Sequence, residues 1–458
     1  MMRSLYSGVA GLRTHQTRMD VIGNNIANVN TTAYKTQSMS FADLLYQNVH
    51  SSTGATAVKG GTNARQIGLG TMTGSISTAI TKQGAAQTTN NPFDLMINGD
   101  NFFIVNNGKQ NFFTRDGSFN VDAAGNLVMN SNGYIVQGWQ ANADGTITKA
   151  AVSNLQIMKK EFLTSDASAT TSGRVTGIVD RTDPNIASAA GKTVSVPLYS
   201  SKGETYSVVF SISAMEDYNS SDGRTSEEGY YAAHDWKLLD SDGNEIAKID
   251  SSSLGGSEDY TVLSYSASTG EFQYVGNSGT KGVNVNFAGL SLPDGDTLGG
   301  GGQTVSIDFS ESVMYGNDGI STVAGAKGNS NGENAGWAKG DMSGISISTA
   351  GIITAQYTNG ETRVLGQIAT AQFKNPAGLE KAGDNLYTTS LNSGEFDGTG
   401  VDITAGGGSI VSGYLEMSNV DMSDEFTSMI TTQRGFQANS KVITTSDSML
   451  EILRDLKR

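Results

Sequence analysis

No cysteine occurs among the 458 residues, which removes disulfides, thiolate metal sites and cysteine nucleophiles together. Proline is nearly as scarce, 5 residues against 57 glycines, a balance that suits many tight β-turns better than disordered linkers. Positive charge is also short. Lys plus Arg number 30 and Asp plus Glu 45, a net charge of -15, so the chain is not built to hold a phosphate backbone. No apolar run approaches the ~18 residues of a membrane span. The start MMRSLYSGVAGLRTHQ lacks the apolar core of a Sec signal. Composition alone reads as cytosolic, unless the protein leaves by a route that reads another signal. The length allows two to four domains, each with its own core.

Catalytic material is thin. His15, His50 and His234 are scattered without metal-ligand spacing, and His15 falls on the polar side of the N-terminal stripe, where a solvated ring is expected. Asp240-Ser-Asp-Gly-Asn resembles part of a calcium loop, but its glycine stands fourth instead of sixth; a hairpin turn explains it. The runs Gly299–Gly302 and Gly406–Gly408 lack the Lys-Ser/Thr of a phosphate loop. The expectation is no enzyme, no cofactor and no metal.

What the chain does have is patterning at both ends. Leu5, Leu12, Met19 and Ile26 are each seven apart, with Met2 and Val9 in the flanking register, continued by Gln16 and Gly23. Met422, Met429, Phe436, Ile443 and Leu450 repeat the spacing, widened by Val442, Met449, Leu453 and Leu456. Asp421 and Ser423 mark a helix start, and Lys457 and Arg458 stand at the favourable end of its dipole. Two matched stripes at opposite ends predict a coiled-coil-like pair. Gln16, Gln433, Ser440 and Asp447 weaken the seam, so the pair is expected to need further neighbours.

Between the ends, alternation and turn chemistry predict β structure. Hairpins are expected at Phe119–Val128, Trp236–Ile249 and Val262–Val275. Composition shifts near Thr164–Ser172 and across Gly316 to Lys339 predict hinges. The block between them carries much of the acid, including Glu216, Asp217, Glu227, Glu228, Asp240 and Asp242. The fold class expected is α+β: mainly β inner and outer domains in nested insertion, bracketed by terminal amphipathic helices. The layers are an N-terminal helix at 1–30, a connector at 31–75, an inner β domain at 76–163 and 341–412, an inserted outer region at 164–340, and a C-terminal helix at 413–458.

One stretch breaks the apolar pattern. Asn24-Asn-Ile-Ala-Asn-Val-Asn-Thr-Thr32 ends the first stripe in amides, residues usually sent to caps, turns and polar interfaces. We expect Asn24, Asn25, Asn28 and Asn30 to bond exposed backbone in the connector or a neighbouring subunit.

Met19-Asp-Val-Ile-Gly-Asn24-Asn25-Ile26-Ala27-Asn28-Val-Asn30-Thr31-Thr32-Ala-Tyr34-Lys35 closely resembles the N-terminal signature of the bacterial flagellar rod and hook proteins. Gln433-Arg434-Gly435-Phe436-Gln-Ala-Asn439-Ser-Lys441 resembles its C-terminal counterpart. Phe93–Val105 and Phe113–Phe119 are similar to inner-domain strands of rod and hook proteins alike. Tyr134–Trp139, Gly351–Leu379, Pro197–Gly203 and Trp236 resemble the hook pattern. The resemblance covers nearly the whole chain and is weakest in 180–340. The family often has glycine where Ala33 stands, which questions a left-handed turn there. Some hook proteins are cross-linked through a cysteine, chemistry this chain lacks.

The resemblance implies a subunit of a curved tube joining motor-driven rod to filament, an extracellular part of the flagellum exported by the flagellar type III apparatus without a cleaved signal. Its implied partners are copies of itself, distal rod, hook cap and hook–filament junction proteins and the export apparatus; no nucleic acid and no membrane insertion are expected. Leu5, Val9, Leu12, Met19, Ile26, Met422, Met429, Phe436, Ile443 and Leu450 are the expected helix-packing and polymerisation residues. The alternatives are a distal rod protein with an unusual insertion, which predicts a straight polymer, and a secreted β-rich adhesin or glycan-active protein, which predicts a monomer.

Overall fold

The computed structural model describes residues 2–54, 59–142, 144–218, 223–254, 259–276, 279–287 and 303–456. Gly299–Gly302, Lys457 and Arg458 lie outside them. Three α-helices occur among the described residues: α1 (Met2–Ala27), the single-turn α2 (Met215–Tyr218) and α3 (Met422–Asp455). All other regular structure among the described residues is β apart from short 3-10 turns, as alternation and glycine-rich turns predict. The hairpins expected around residues 122–126, 240–244 and 266–270 are present. In the second, Asp240 Oδ1 accepts from Asp242 N and Asn244 N at 2.9 and 2.8 Å. The acidic run is thus an Asp-capped turn.

The chain divides into two compact units. One holds residues 1–160, 345–355 and 363–458, the other residues 161–344 and 356–362. The first unit therefore contains both ends of the chain, and the second is inserted.

Within the first unit, strands run in the order Thr362–Ile368, Ile135–Gln140, Phe102–Asn106, Asn111–Thr114, Leu386–Thr388, Glu380–Gly383. Phe102, Ile104, Phe113, Trp139, Phe373 and Tyr387 form its core. Residues that leave and return are paired in nested order: Leu95–Asn98 with Ser409–Ser412, and Ala86–Thr88 with Tyr414–Glu416. The connector is more than a link. Gln37–Asp43 pairs with Thr71–Thr78, and Tyr46–His50 with Arg65–Gly68, making a two-stranded ribbon that leaves Leu45, Tyr46 and Val49 56–65% exposed. An isolated ribbon of this kind is marginal in water, so its packing against α1 at Ser7, Ala10 and Thr14 matters.

The second unit stacks a four-stranded sheet (Gly282–Asn286, Thr304–Met314, Ser172–Val179, Ala324–Lys327) on a six-stranded one built from Lys192–Tyr199, Thr205–Ala214, Tyr230–Leu239, Tyr260–Tyr265 and Phe272–Val275, with Glu245–Lys248 alongside. One core joins them, with Phe210 stacked on Trp236 at 4.1 Å between centroids. The expected hinges near Thr164–Ser172 and Gly316–Lys339 both fall inside this unit, and each carries paired strand. The start of the second is pinned: Asp180 Oδ2 accepts from Asn317 N at 2.6 Å and Gly319 N at 2.9 Å. Small polar composition there reflects carboxylate-capped turns, which demand such residues as much as hinges do.

Candidate functional site

The two chain ends meet as an antiparallel helix pair. Ser4 Oγ lies 3.4 Å from Ser446 Oγ, Gly8 faces Ile443, Gly11 faces Asn439, and Gly435 faces His15. At the far end Asn25 Nδ2 donates to Glu425 Oε1 at 2.8 Å. Ser4, Gly8, Gly11 and His15 recur at three- and four-residue steps, as do Thr432, Gly435, Asn439, Ile443 and Ser446. Both rows have the spacing of a coiled-coil seam.

Ile443 apart, the seam is thus built from small and polar residues. A Cβ on Gly11 would approach the Asn439 carboxamide to 2.8 Å, and one on Gly435 would approach the His15 ring to 2.5 Å. The second row of α3 runs through Thr432 and Ser446, both buried, displaced by one residue from the expected row of Gln433, Ser440 and Asp447. Apart from Ile443, the heptad rows lie beside the seam. Leu5, Leu12, Met19, Ile26, Met429 and Ile443 are half-buried, while Val9, Met422, Phe436 and Leu450 are 37–41% exposed.

His15 is half-buried, not a freely solvated ring. Its ring is held between Gly435 and Phe41, 5.3 Å from the Phe41 centroid, and its Nδ1 is buried without a hydrogen-bond partner. Burial, then the Arg18 charge, pushes its pKa below the usual imidazole value. A helical wheel places His15 near polar neighbours but cannot know that a glycine on the other helix will make a notch for it.

The amide cluster forms a polar knot below the pair. Asn25 is fully buried. Its Nδ2 also donates to Gln37 O at 2.8 Å, and its Oδ1 accepts from Gln37 N at 3.0 Å and Tyr34 Oη at 3.2 Å. Asn24 Nδ2 donates to Tyr34 Oη at 3.1 Å. Asn28 Nδ2 reaches back to Asn24 O at 2.9 Å, and Thr31 Oγ1 donates to Asn28 Oδ1 at 3.1 Å. The Thr32 carbonyl accepts from Asn385 Nδ2 at 2.8 Å. Asn30 and Ala27 are exposed. Ala33 is buried at φ +55°, so the left-handed turn exists without glycine. The Ala33 amide donates to Glu416 O at 2.7 Å, which offsets the ~1–2 kcal/mol that a Cβ costs in that region.

Behind the knot sits a buried ion cluster that sequence reasoning missed. Lys35 Nζ lies 2.6 Å from Glu416 Oε1, and Arg115 Nη1 lies 3.8 Å from Glu416 Oε2. Burial pushes the Lys35 ammonium below its usual range, against the pull of Glu416. Lys35 Nζ and Asn419 Nδ2 share the Lys82 carbonyl at 2.8 and 2.9 Å, and Asn419 Oδ1 accepts from Thr36 N at 2.7 Å. Asp421 then caps α3, accepting from Ser423 N and Asp424 N. One charged side chain inside the apolar Tyr414-Leu-Glu-Met run was the available signal. Arg434 and Gln433, by contrast, are exposed, with Arg434 bonded only to Gln437 at 3.2 Å among the described contacts.

Among the described residues no group of three or more His, Asp or Glu is placed to hold a metal. The geometry is structural. Both ends of the chain leave the β structure of the first unit as one helical pair, locked by buried amides and ions, with apolar rows left over. Matches to protein families agree along the chain: "Flagella basal body rod protein" at residues 5–35, "Flagellar hook protein FlgE/F/G D1 domain" at 96–176 and "Flagellar basal body rod FlgEFG protein C-terminal" at 411–456. The flagellar hook protein FlgE of Treponema pallidum is 35% identical, with 100% of each chain aligned, and that of Borreliella burgdorferi 36%, again over 100% of both. The flagellar basal-body rod protein FlgG of Bacillus subtilis is 28% identical over the same full coverage. The chain belongs to the flagellar hook protein family. It is a structural subunit of the hook, a flagellar component that polymerises with copies of itself.

Proposed function

We propose that the subunit assembles through its terminal helices into a curved, flexible tube that acts as a universal joint, passing torque from rod to filament. The observation that carries this is the helix pair itself, whose seam is closed by small and polar residues while Val9, Met422, Phe436 and Leu450 stay exposed. Those positions, with Leu5, Leu12, Met19, Ile26 and Met429, supply the apolar surface between subunits, because a head-to-tail contact that does not close yields an open helical polymer. Ile443 instead packs on Gly8 within the pair. The amide knot and the Lys35–Glu416 pair hold the helices to the inner β unit, so force on the helices reaches the β structure.

Export through the flagellar type III apparatus without a cleaved signal, and contacts with distal rod, hook cap and hook–filament junction proteins, follow from the same reading. The 28% identity to a rod protein over the full chain keeps a distal rod role as the second reading. It predicts straight tubes.

Electron microscopy of the full-length protein under salting-out conditions, beside a chain lacking residues 1–30 and 415–458, tests both. Curved tubes from the full chain alone support the joint, and straight ones support the rod. Identical tubes from both chains would remove the helices as the polymerisation device.

A further inference from the structure

α1 and the ribbon enclose a groove of about 380 Å³ whose wall is apolar at Tyr6, Val9, Leu44 and Leu69 and carries Arg3 and Arg13. Both arginines are exposed, and no carboxylate lies within ion-pair distance of either among the described contacts. They stand ten residues apart, roughly 15 Å along the helix. Apolar surface between two unpaired guanidiniums fits a segment that is apolar with acids alongside.

The end of α3 has that character. Ser446 already lies opposite Ser4, near the start of α1 at Met2, so the last two turns of α3 run past the helix that covers the rest of its seam. Ile452, Leu453 and Leu456 are 60%, 49% and 77% exposed there. Asp447, Glu451 and Asp455 follow at four-residue steps, one stripe of a helix, with Arg454 among them 3.7 Å from Glu451 and 3.2 Å from Asp455. Asp447 to Asp455 spans about 12 Å, close to the separation of the two arginines. The antiparallel pairing points this segment away from the groove of its own chain.

We propose that the projecting end of α3 docks into the α1–ribbon groove of a second copy, with Ile452, three residues before Asp455 and so beside the acidic stripe, against the Val9 wall and the stripe itself on Arg3 and Arg13. The contact rests on the polymerisation reading and names the two surfaces that meet. It is heterologous, one patch on a different patch, and so propagates along a tube instead of closing a dimer.

The absence of cysteine makes the test free of background. Val9→Cys and Ile452→Cys copies of the full chain are mixed and oxidised, and a disulfide-linked dimer is expected in the mixture and in neither protein alone. In parallel, R3E/R13E and D447K/E451K/D455K are each expected to lower polymer yield about tenfold, and the two sets together to restore it. Hydrogen exchange in α1 and α3 checks that each monomer keeps its helix pair. Tubes that form without the mixed disulfide, or with no effect of either charge set, overturn the docking and leave polymerisation standing. Neither tubes nor disulfide overturns both. Disulfide without tubes supports the contact and removes the polymer.

Discussion

The Asn25 carboxamide donates to the Glu425 carboxylate at 2.8 Å across 400 positions of chain. The same side chain spends its remaining capacity on Gln37 and Tyr34. One buried amide therefore fastens the end of α1 to the start of both the ribbon and α3. Asn25→Ala leaves the Gln37 amide and carbonyl without their side-chain partner and removes one bond each from Tyr34 and Glu425, an expected loss of about 2–4 kcal/mol, read as faster amide exchange in both terminal helices. Asn30→Ala, exposed, is expected to change exchange by less than about 0.5 kcal/mol. Equal effects of the two would show that burial of the knot contributes nothing.

Glu416 serves two cations, and its loss leaves both buried. Glu416→Ala is expected to cost about 3–5 kcal/mol, whereas replacing Lys35, Arg115 and Glu416 together by apolar residues of similar volume recovers most of it. Hydrogen exchange across residues 95–140 distinguishes the cases. A triple variant no better than the single one would mean the charges specify the local arrangement beyond their mutual pairing.

Glycine is normally the poor choice inside a helix, by about 1 kcal/mol against alanine. A methyl at Gly23 would meet nothing within 4 Å, and Gly23→Ala is expected to raise helix stability by up to that amount. Gly435→Ala puts a methyl into the His15 ring and is expected to lower it by about 1–3 kcal/mol. Thermal melts of helical circular dichroism give both signs in one experiment.

His15 links the helix pair to pH. Its folded pKa is below 6.5 because of burial first and Arg18 second, and neither Gly435 nor Phe41, which hold the ring, brings a carboxylate. The neutral ring is therefore favoured by folding. Above the unfolded value of 6.5 nothing is lost; as pH falls below it, the unfolded chain takes the proton first and the pair weakens. Between about pH 7.5 and about pH 5 the helix melt of the wild type is expected to fall further than that of His15→Asn. Parallel curves would exclude the ring as the cause.

Asp180 gives the inserted unit its own acid response. Burial pushes its carboxyl up, and four donors together outweigh that and hold it down to about 2: Asn317 N, the amide and hydroxyl of Thr182, and Gly319 N. A depressed carboxyl stabilises above its unfolded value of 3.8, and that stability is lost as pH falls toward about 2. Proteolysis at residues 316–321 is expected to accelerate in that window, and Asp180→Asn to show the acceleration already at neutral pH. Unchanged cleavage in the variant would assign the pinning to Asp183, which bonds Ser321 N at 2.8 Å.

Much of this was legible in order along the chain. Seven-residue spacing marks both helices, glycine-containing turns mark the hairpins, and shifts to small polar composition mark the inserted block, because each depends on neighbours within a few residues. The seam, the notch around His15 and the Lys35–Arg115–Glu416 cluster were not legible. Periodicity says which side of a helix is apolar, but it does not say what will face it. Leu5 and Leu12 advertise themselves as packing residues; Gly8 and Gly11, which actually allow the close approach to α3, have no side chain to advertise. Local chemistry, then, determined the elements and their nesting. Only the tertiary structure decided which small residues let two helices touch and which charges are shut away, since both depend on groups brought together from opposite ends of the chain.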